Sequence, residues 1–168
     1  MEKLFIGSDK SGYVLKEAIK AYLVENQFVV EDIGTIDESQ PLPFFQVAQL
    51  GATKIQKKES TKGILICGTG MGMSIVANKH EGVHAAACES VYAAEKCRAI
   101  NDANVLCMGG WIIAPIMGIE MTKVFLSTAF TQNLEDWRAK NIEKARIAVR
   151  EIEKSSFHKE GCKEPNHL

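Results

Sequence analysis

A chain of 168 residues, 46% of them hydrophobic, fits one ordinary domain, for which one compact core is expected. Its 20 basic and 21 acidic residues leave a formal charge of -1, which excludes binding of nucleic acid or an anionic membrane through the overall field. Any anion must be held by local groups. The apolar stretch before Gly7 is too short for a secretory leader and no run reaches membrane-spanning length, so the expected compartment is the cytoplasm.

Short apolar runs alternate with segments of helical period along the chain. Leu4-Phe5-Ile6-Gly7 predicts a strand, and Val14, Leu15, Ala18, Ile19, Tyr22 and Leu23 then fall on one helix face. The cycle repeats with Phe28-Val29-Val30 and a helix from Phe44 to Ile55. It repeats again with Gly63 to Cys67 and a helix from Gly72, then with His84 to Cys88 and a helix from Ser90 to Ala99. Val105 to Met108, followed by Pro115 to Leu126, makes the fifth unit.

Strands that are almost wholly apolar, each followed by a helix, predict an α/β fold: a five-stranded parallel sheet covered on both faces, a three-layer α/β/α sandwich. Glu135 to Ser155 predicts a further, highly charged helix. Its narrow apolar stripe of Trp137, Ile142, Ala145, Val149 and Ile152 suits docking on a partner. Residues 1–155 are expected to form one domain and 156–168, with Gly161 and Pro165, a loose tail.

Five cysteines, Cys67, Cys88, Cys97, Cys107 and Cys162, make an odd count without the close pairing of zinc or dithiol motifs. Free, buried thiols are the ordinary expectation. His80, His84, His158 and His167 show no ligand-like spacing with carboxylates, so no metal is called for.

In open parallel sheets ligands bind beyond the carboxyl ends of the strands. Two loops stand there. Gly7-Ser8-Asp9-Lys10-Ser11-Gly12 brings a carboxylate and an ammonium to the end of the first strand. Cys67-Gly68-Thr69-Gly70-Met71-Gly72-Met73-Ser74 follows the third, and its alternate glycines let several backbone N–H groups converge on one point before a helix start. Such an anion hole suits a phosphate or the enediolate oxygen formed when a proton leaves the carbon beside a carbonyl.

Known phosphate loops do not fit. A dinucleotide fingerprint needs Gly at the position of Met73, a nucleoside-triphosphate loop needs a Gly-Lys-Ser/Thr ending, and a cysteine phosphatase loop needs Arg at position 73. What remains is a thiol beside an anion hole, able as a thiolate to act as a base. Thr69 is placed to hydrogen-bond a substrate hydroxyl or to serve the turn, and Asp9 to fix a hydroxyl or cap the first helix.

From Phe5 to about Arg138 these residues resemble the family of type B ribose-5-phosphate isomerases and galactose-6-phosphate isomerases. The carriers are Gly7-Ser8-Asp9, Gly12, Leu15-Lys16-Glu17, Asp32-Ile33-Gly34-Thr35, the run from Gly63 through Asn78-Lys79, and Asn101 to Leu106. The resemblance implies a homodimer or dimer of dimers whose active site is shared between subunits, with a contribution from the carboxyl-terminal helix. It also implies a cofactor-free isomerase that moves a proton between C1 and C2 of a small phosphorylated sugar. Cys67 would be the base, and the amides of Gly68 to Gly72 the oxyanion hole.

Another branch of that family carries a glutamate at the position of Met73, so the chain resembles the cysteine branch. The catalytic candidates are Cys67 and Thr69. The substrate-binding candidates are Asp9, Lys10, Gly68, Gly70, Met71, Gly72, Asn101 and Arg138.

The departures from the family pattern cluster on the substrate. Lys10 replaces a His, Leu42 a Tyr, Ile100 the His used in ring opening and Trp111 an Arg that binds phosphate. Leu134 and Glu135 replace an Arg-His pair, while Arg138 is retained. Ribose 5-phosphate and ribulose 5-phosphate stay open as substrates beside a four-carbon sugar phosphate, which needs no ring opening. Lys10, Arg138 and Arg98 are then the cations available for phosphate. A non-catalytic sugar-phosphate-binding subunit is the alternative, and a thiol redox protein a third reading.

Overall fold

The computed structural model describes residues 3–158. Five strands, β1 (Leu4–Ser8), β2 (Val30–Asp32), β3 (Lys62–Cys67), β4 (Ala85–Ala87) and β5 (Val105–Gly109), form one parallel sheet in the order β2-β1-β3-β5-β4. Between and after them run α1 (Tyr13–Glu25), α2 (Phe44–Gln56), α3 (Met71–Ala77), α4 (Val91–Ala99), α5 (Pro115–Ser127) and α6 (Asp136–Phe157). The three-layer α/β/α sandwich is therefore present, with α1, α4 and α5 on one face and α2 and α3 on the other.

Strand periodicity explains why the central runs are apolar throughout. Ile64 and Ile66 of β3 and Leu106 and Met108 of β5 enter the core beneath α1, α4 and α5, with Met121 and Phe125. Leu65, Cys67, Val105 and Cys107 enter the opposite core with Val47, Ala52 and Met73. Side chains alternate between faces, so a strand covered on both needs apolar residues at every position.

The edge strands depart from expectation. β2 begins at Val30 rather than Phe28, because the chain leaves α1 through Gln27 at φ 61° and pairs with β1 only from Val29, whose carbonyl accepts the Leu4 N–H. β4 shrinks to three alanines, although the Cys88 N–H still reaches the Cys107 carbonyl at 3.0 Å.

The register sets the site. Cys67 lies opposite Gly109 and Ser8 opposite Ile66, so β1, β3 and β5 end level with one another. After β1 the chain turns into a helix on one face and after β3 into a helix on the other. The two connections diverge and leave a crevice between them, the usual ligand position in open α/β sheets.

α6 stands apart from both layers. None of its 22 residues is buried, and it continues to Phe157, two residues past the expected end, with the rest of the expected tail beyond His158 outside the described residues. Polar anchors tie it to the amino-terminal edge of the sheet. Arg146 reaches Asp102 at 3.1 Å and lies over the Phe130 ring, and a Glu153 carboxylate oxygen accepts the Gly82 N–H at 2.8 Å. Among the described residues no helix is long and apolar enough to cross a membrane.

Candidate active site

Cys67 closes β3 with its side chain buried on the α2/α3 side, in the same hydrophobic group as Leu42. The following residues fold back around the sulfur, and the Gly70 N–H donates to Cys67 Sγ at 3.2 Å. The turn requires Gly70 at φ 77°, left-handed backbone that side chains disfavour, and a Cβ there would lie 2.9 Å from the Met108 backbone. Met71, half exposed, opens α3 directly afterwards.

The loop after β5 laces this turn in place. Gly110 N–H donates to the Cys67 carbonyl at 2.7 Å and Trp111 N–H to the Gly68 carbonyl at 3.0 Å. Gly109 packs on the backbone of Thr69, where a Cβ would come within 2.8 Å. Backbone-to-backbone approach leaves these positions no room for a side chain.

Two aromatic rings bracket the glycine loop. The benzo ring of Trp111 lies where a Gly68 side chain would start, 2.8 Å from that Cβ position, and the Phe44 ring covers Gly72 in the same way at 2.9 Å. Trp111 nevertheless remains 75% exposed, so its outer surface faces the solvent side of the site.

Beside the loop, Asp9 follows β1, its N–H on the Ile66 carbonyl and its Oδ1 accepting the Gly12 N–H at 3.0 Å just before α1. Asp9 thus braces the turn before α1, whose N-cap is Gly12 and carries no side-chain cap. Burial pushes the Asp9 carboxyl above the ordinary carboxylate range, against a smaller opposing effect of the Gly12 and Ser11 amides. Asp9 and Lys10 line one side of an open cleft of about 320 Å3, and Pro41, Leu42, Pro43 and Phe44 line the other.

That second wall is held from inside the fold. Leu42 N–H donates to Thr35 Oγ1 at 3.1 Å, and the Thr35 carbonyl accepts from the fully buried Lys16 ammonium, which also pairs with Asp32 at 2.6 Å.

Two expected substrate ligands lie elsewhere. Asn101 follows α4 at the amino-terminal edge of the sheet and lines a groove with Ile100, Ala86 and Ile142 of α6. The length of β3, roughly 17 Å, separates that edge from Cys67. Arg138 is exposed in the first turn of α6, a few residues after Thr131, whose N–H is bound to the Ala99 carbonyl at the end of α4. One chain thus gathers Cys67, Gly68, Thr69, Gly70, Met71, Gly72, Asp9 and Lys10, and leaves Asn101 and Arg138 outside.

Arg98 corrects the list of phosphate cations. Its guanidinium is buried, donating to Asp102 at 3.1 Å and to the Ala103 carbonyl at 2.6 Å, and it serves the α4 end instead. Phe44 was missed as a site residue, because nothing in the sequence separates a ring that starts a helix from one that covers a glycine 28 positions away.

Residues 4–144 match the family model described as Ribose/Galactose Isomerase. The chain belongs to the ribose/galactose isomerase family. Among its relatives, a protein of Clostridium sp. (strain MSTE9) named 4-deoxy-4-sulfo-D-erythrose isomerase is 60% identical over 94% of this chain and 99% of its own length. A D-erythrulose-4-phosphate isomerase of Pectobacterium atrosepticum is 36% identical over 77% of this chain and 86% of its own. In structure, the type B ribose 5-phosphate isomerase of Trypanosoma cruzi superposes with a TM-score of 0.79 at 33% identity, covering 92% of this chain and 99% of that one. This ribose/galactose isomerase family member is accordingly an isomerase of small sugars, with its crevice and glycine loop at the position the fold prescribes.

Proposed function

We propose that the protein interconverts a four-carbon aldose and ketose that carry a terminal anion, with 4-deoxy-4-sulfo-D-erythrose as the aldose. The carrying observation is the Cys67 thiol at the crevice of the sheet, wrapped by a glycine turn whose Gly70 N–H donates to its sulfur. The 60% identity to the sulfo-erythrose isomerase supports the choice of sugar. So does Ile100 at the position of the ring-opening histidine: a tetrose without a free C4 hydroxyl has no five-membered ring to open.

In the forward direction the Cys67 thiolate takes the C2 proton of the open-chain aldose. The electron pair forms the C1–C2 double bond and the carbonyl oxygen becomes an enediolate oxyanion, stabilised by the loop amides from Gly68 to Gly72. A proton passes from O2 to O1, and the thiol returns its proton to C1 as the C2 carbonyl forms. Thr69 and Asp9 hold substrate hydroxyls, and Lys10 faces the terminal anion across the cleft.

Asn101 lies at the far edge of its own chain and Arg138 in the exposed first turn of α6, and on this reading both serve the Cys67 loop of a second copy. This supports a homodimer with shared sites, and a 22-residue helix with no buried residue has apolar side chains, Trp137 and Ile152 among them, left for a partner to cover.

The test is proton exchange in D2O, followed by NMR on wild type and Cys67→Ala with four-, five- and six-carbon substrates. Deuterium entering C1 or C2 of a tetrose derivative with wild type alone supports the assignment. Binding without exchange would instead make the chain a non-catalytic sugar-binding subunit.

A further inference from the structure

We infer that Trp111 makes the site selective for a carbon-bound sulfonate over a phosphate ester, an inference that rests on the four-carbon reading above. The argument begins with distance. In a four-carbon substrate whose C2 faces Cys67, the atom that bears the terminal anion lies three bonds further, about 4 Å away with bonds near 1.5 Å. The head group therefore falls beside the catalytic loop itself. Trp111 packs on Gly68, the residue next to Cys67, and exposes most of its indole there.

Charge decides what such a place accepts. A sulfonate spreads one charge over three oxygens, whereas a phosphate ester carries about -1.5 to -2 at neutral pH. Desolvating an ion costs free energy that rises steeply with its charge unless cations or donors replace the lost water. Lys10 is the cation this chain places in the cleft lining and Arg138 of a second copy the other that the proposed shared site offers, while the rings of Trp111 and Phe44 bracket the loop with apolar surface. Indole edges carry the positive side of the ring quadrupole and tolerate a weakly hydrated monoanion, but they do not bring the further cation and forked donor that an arginine at position 111 would offer a dianion.

The test compares kcat/KM for 4-deoxy-4-sulfo-D-erythrose and D-erythrose 4-phosphate in wild type, Trp111→Arg and Trp111→Phe, with circular dichroism to verify folding. Wild type should prefer the sulfonate by about tenfold or more, and Trp111→Arg, which adds a forked donor and a charge, should move the ratio toward phosphate by a similar factor. Trp111→Phe should keep the preference. If Trp111→Arg does not fold, Trp111→Gln replaces it, and the preference must then fall with loss of the ring. Equal use of both substrates by wild type, or a ratio unmoved by Arg or Gln, overturns the role of Trp111 while leaving the isomerase assignment standing. Turnover of neither substrate overturns both.

Discussion

The Gly70 N–H points at the sulfur of Cys67 from 3.2 Å, held there by a left-handed glycine whose missing side chain lets the turn rest on the backbone of Met108. Met108 belongs to β5 and is paired with Ile66 of β3, so the surface under the turn cannot yield. Gly70→Ala should then cost about 1–2 kcal/mol for the backbone conformation alone, and more for the contact. Urea unfolding will show the loss. Exchange activity should fall by about tenfold or more because the amide moves off the thiol. Wild-type activity in a folded Gly70→Ala protein would contradict the role given to this turn.

Asp9 should trade stability for function. Its carboxyl is raised by burial, so the folded state holds the proton more tightly than the unfolded state and ionisation above about pH 4 costs stability. Asp9→Asn removes that cost and keeps an acceptor for the Gly12 N–H. The variant should melt higher than wild type at pH 7, with the difference closing as pH falls below 4, while kcat/KM drops.

The opposite sign holds at Asp32. Burial pushes its carboxyl up, but hydrogen bonds from Lys16 and Lys20 outweigh burial and hold it below the ordinary carboxylate range. A depressed carboxyl contributes stability that is complete above about pH 4 and is lost as pH falls through the lower, folded value. Asp32→Asn should flatten that acid limb. Lys16→Met should cost about 3 kcal/mol, since Lys20 remains as the partner of Asp32. It should also raise KM, because the Thr35 to Leu42 connection that walls the cleft loses its anchor.

Asp102 joins three helical positions, accepting from Arg98 of α4 and Arg146 of α6 and lying 3.8 Å from Arg150. It sits at φ 52°, a conformation Asn tolerates. Asp102→Asn should keep the fold and loosen α6, which hydrogen exchange will report as faster exchange along Asp136–Phe157. Sedimentation should show a weaker association of the dimer proposed above. Unchanged protection in α6 would mean that Phe130 and Glu153 suffice to hold it.

Much of this was legible from local pattern. Unbroken apolar runs such as Ile64-Leu65-Ile66-Cys67 imply burial on both faces, and that implies a parallel sheet between helices. The glycine spacing after Cys67 marked the tight turn around its sulfur, since close backbone approach leaves few other residues possible. Pattern weakened at the edges, where β2 and β4 are short and half solvated and where pairing, rather than hydrophobicity, sets the boundary.

By itself the sequence determined the layers, the loop and the thiol, because each depends on periods of a few residues or on steric limits at single positions. Only the tertiary structure decided what surrounds them. It buried Arg98 on Asp102, set Asn101 a strand length from Cys67 and Arg138 in the exposed first turn of α6, and laid the rings of Phe44 and Trp111 over Gly72 and Gly68. These are contacts between segments tens of residues apart, fixed by strand order and register, and no short-range pattern encodes which side chain will fill the space above a distant glycine.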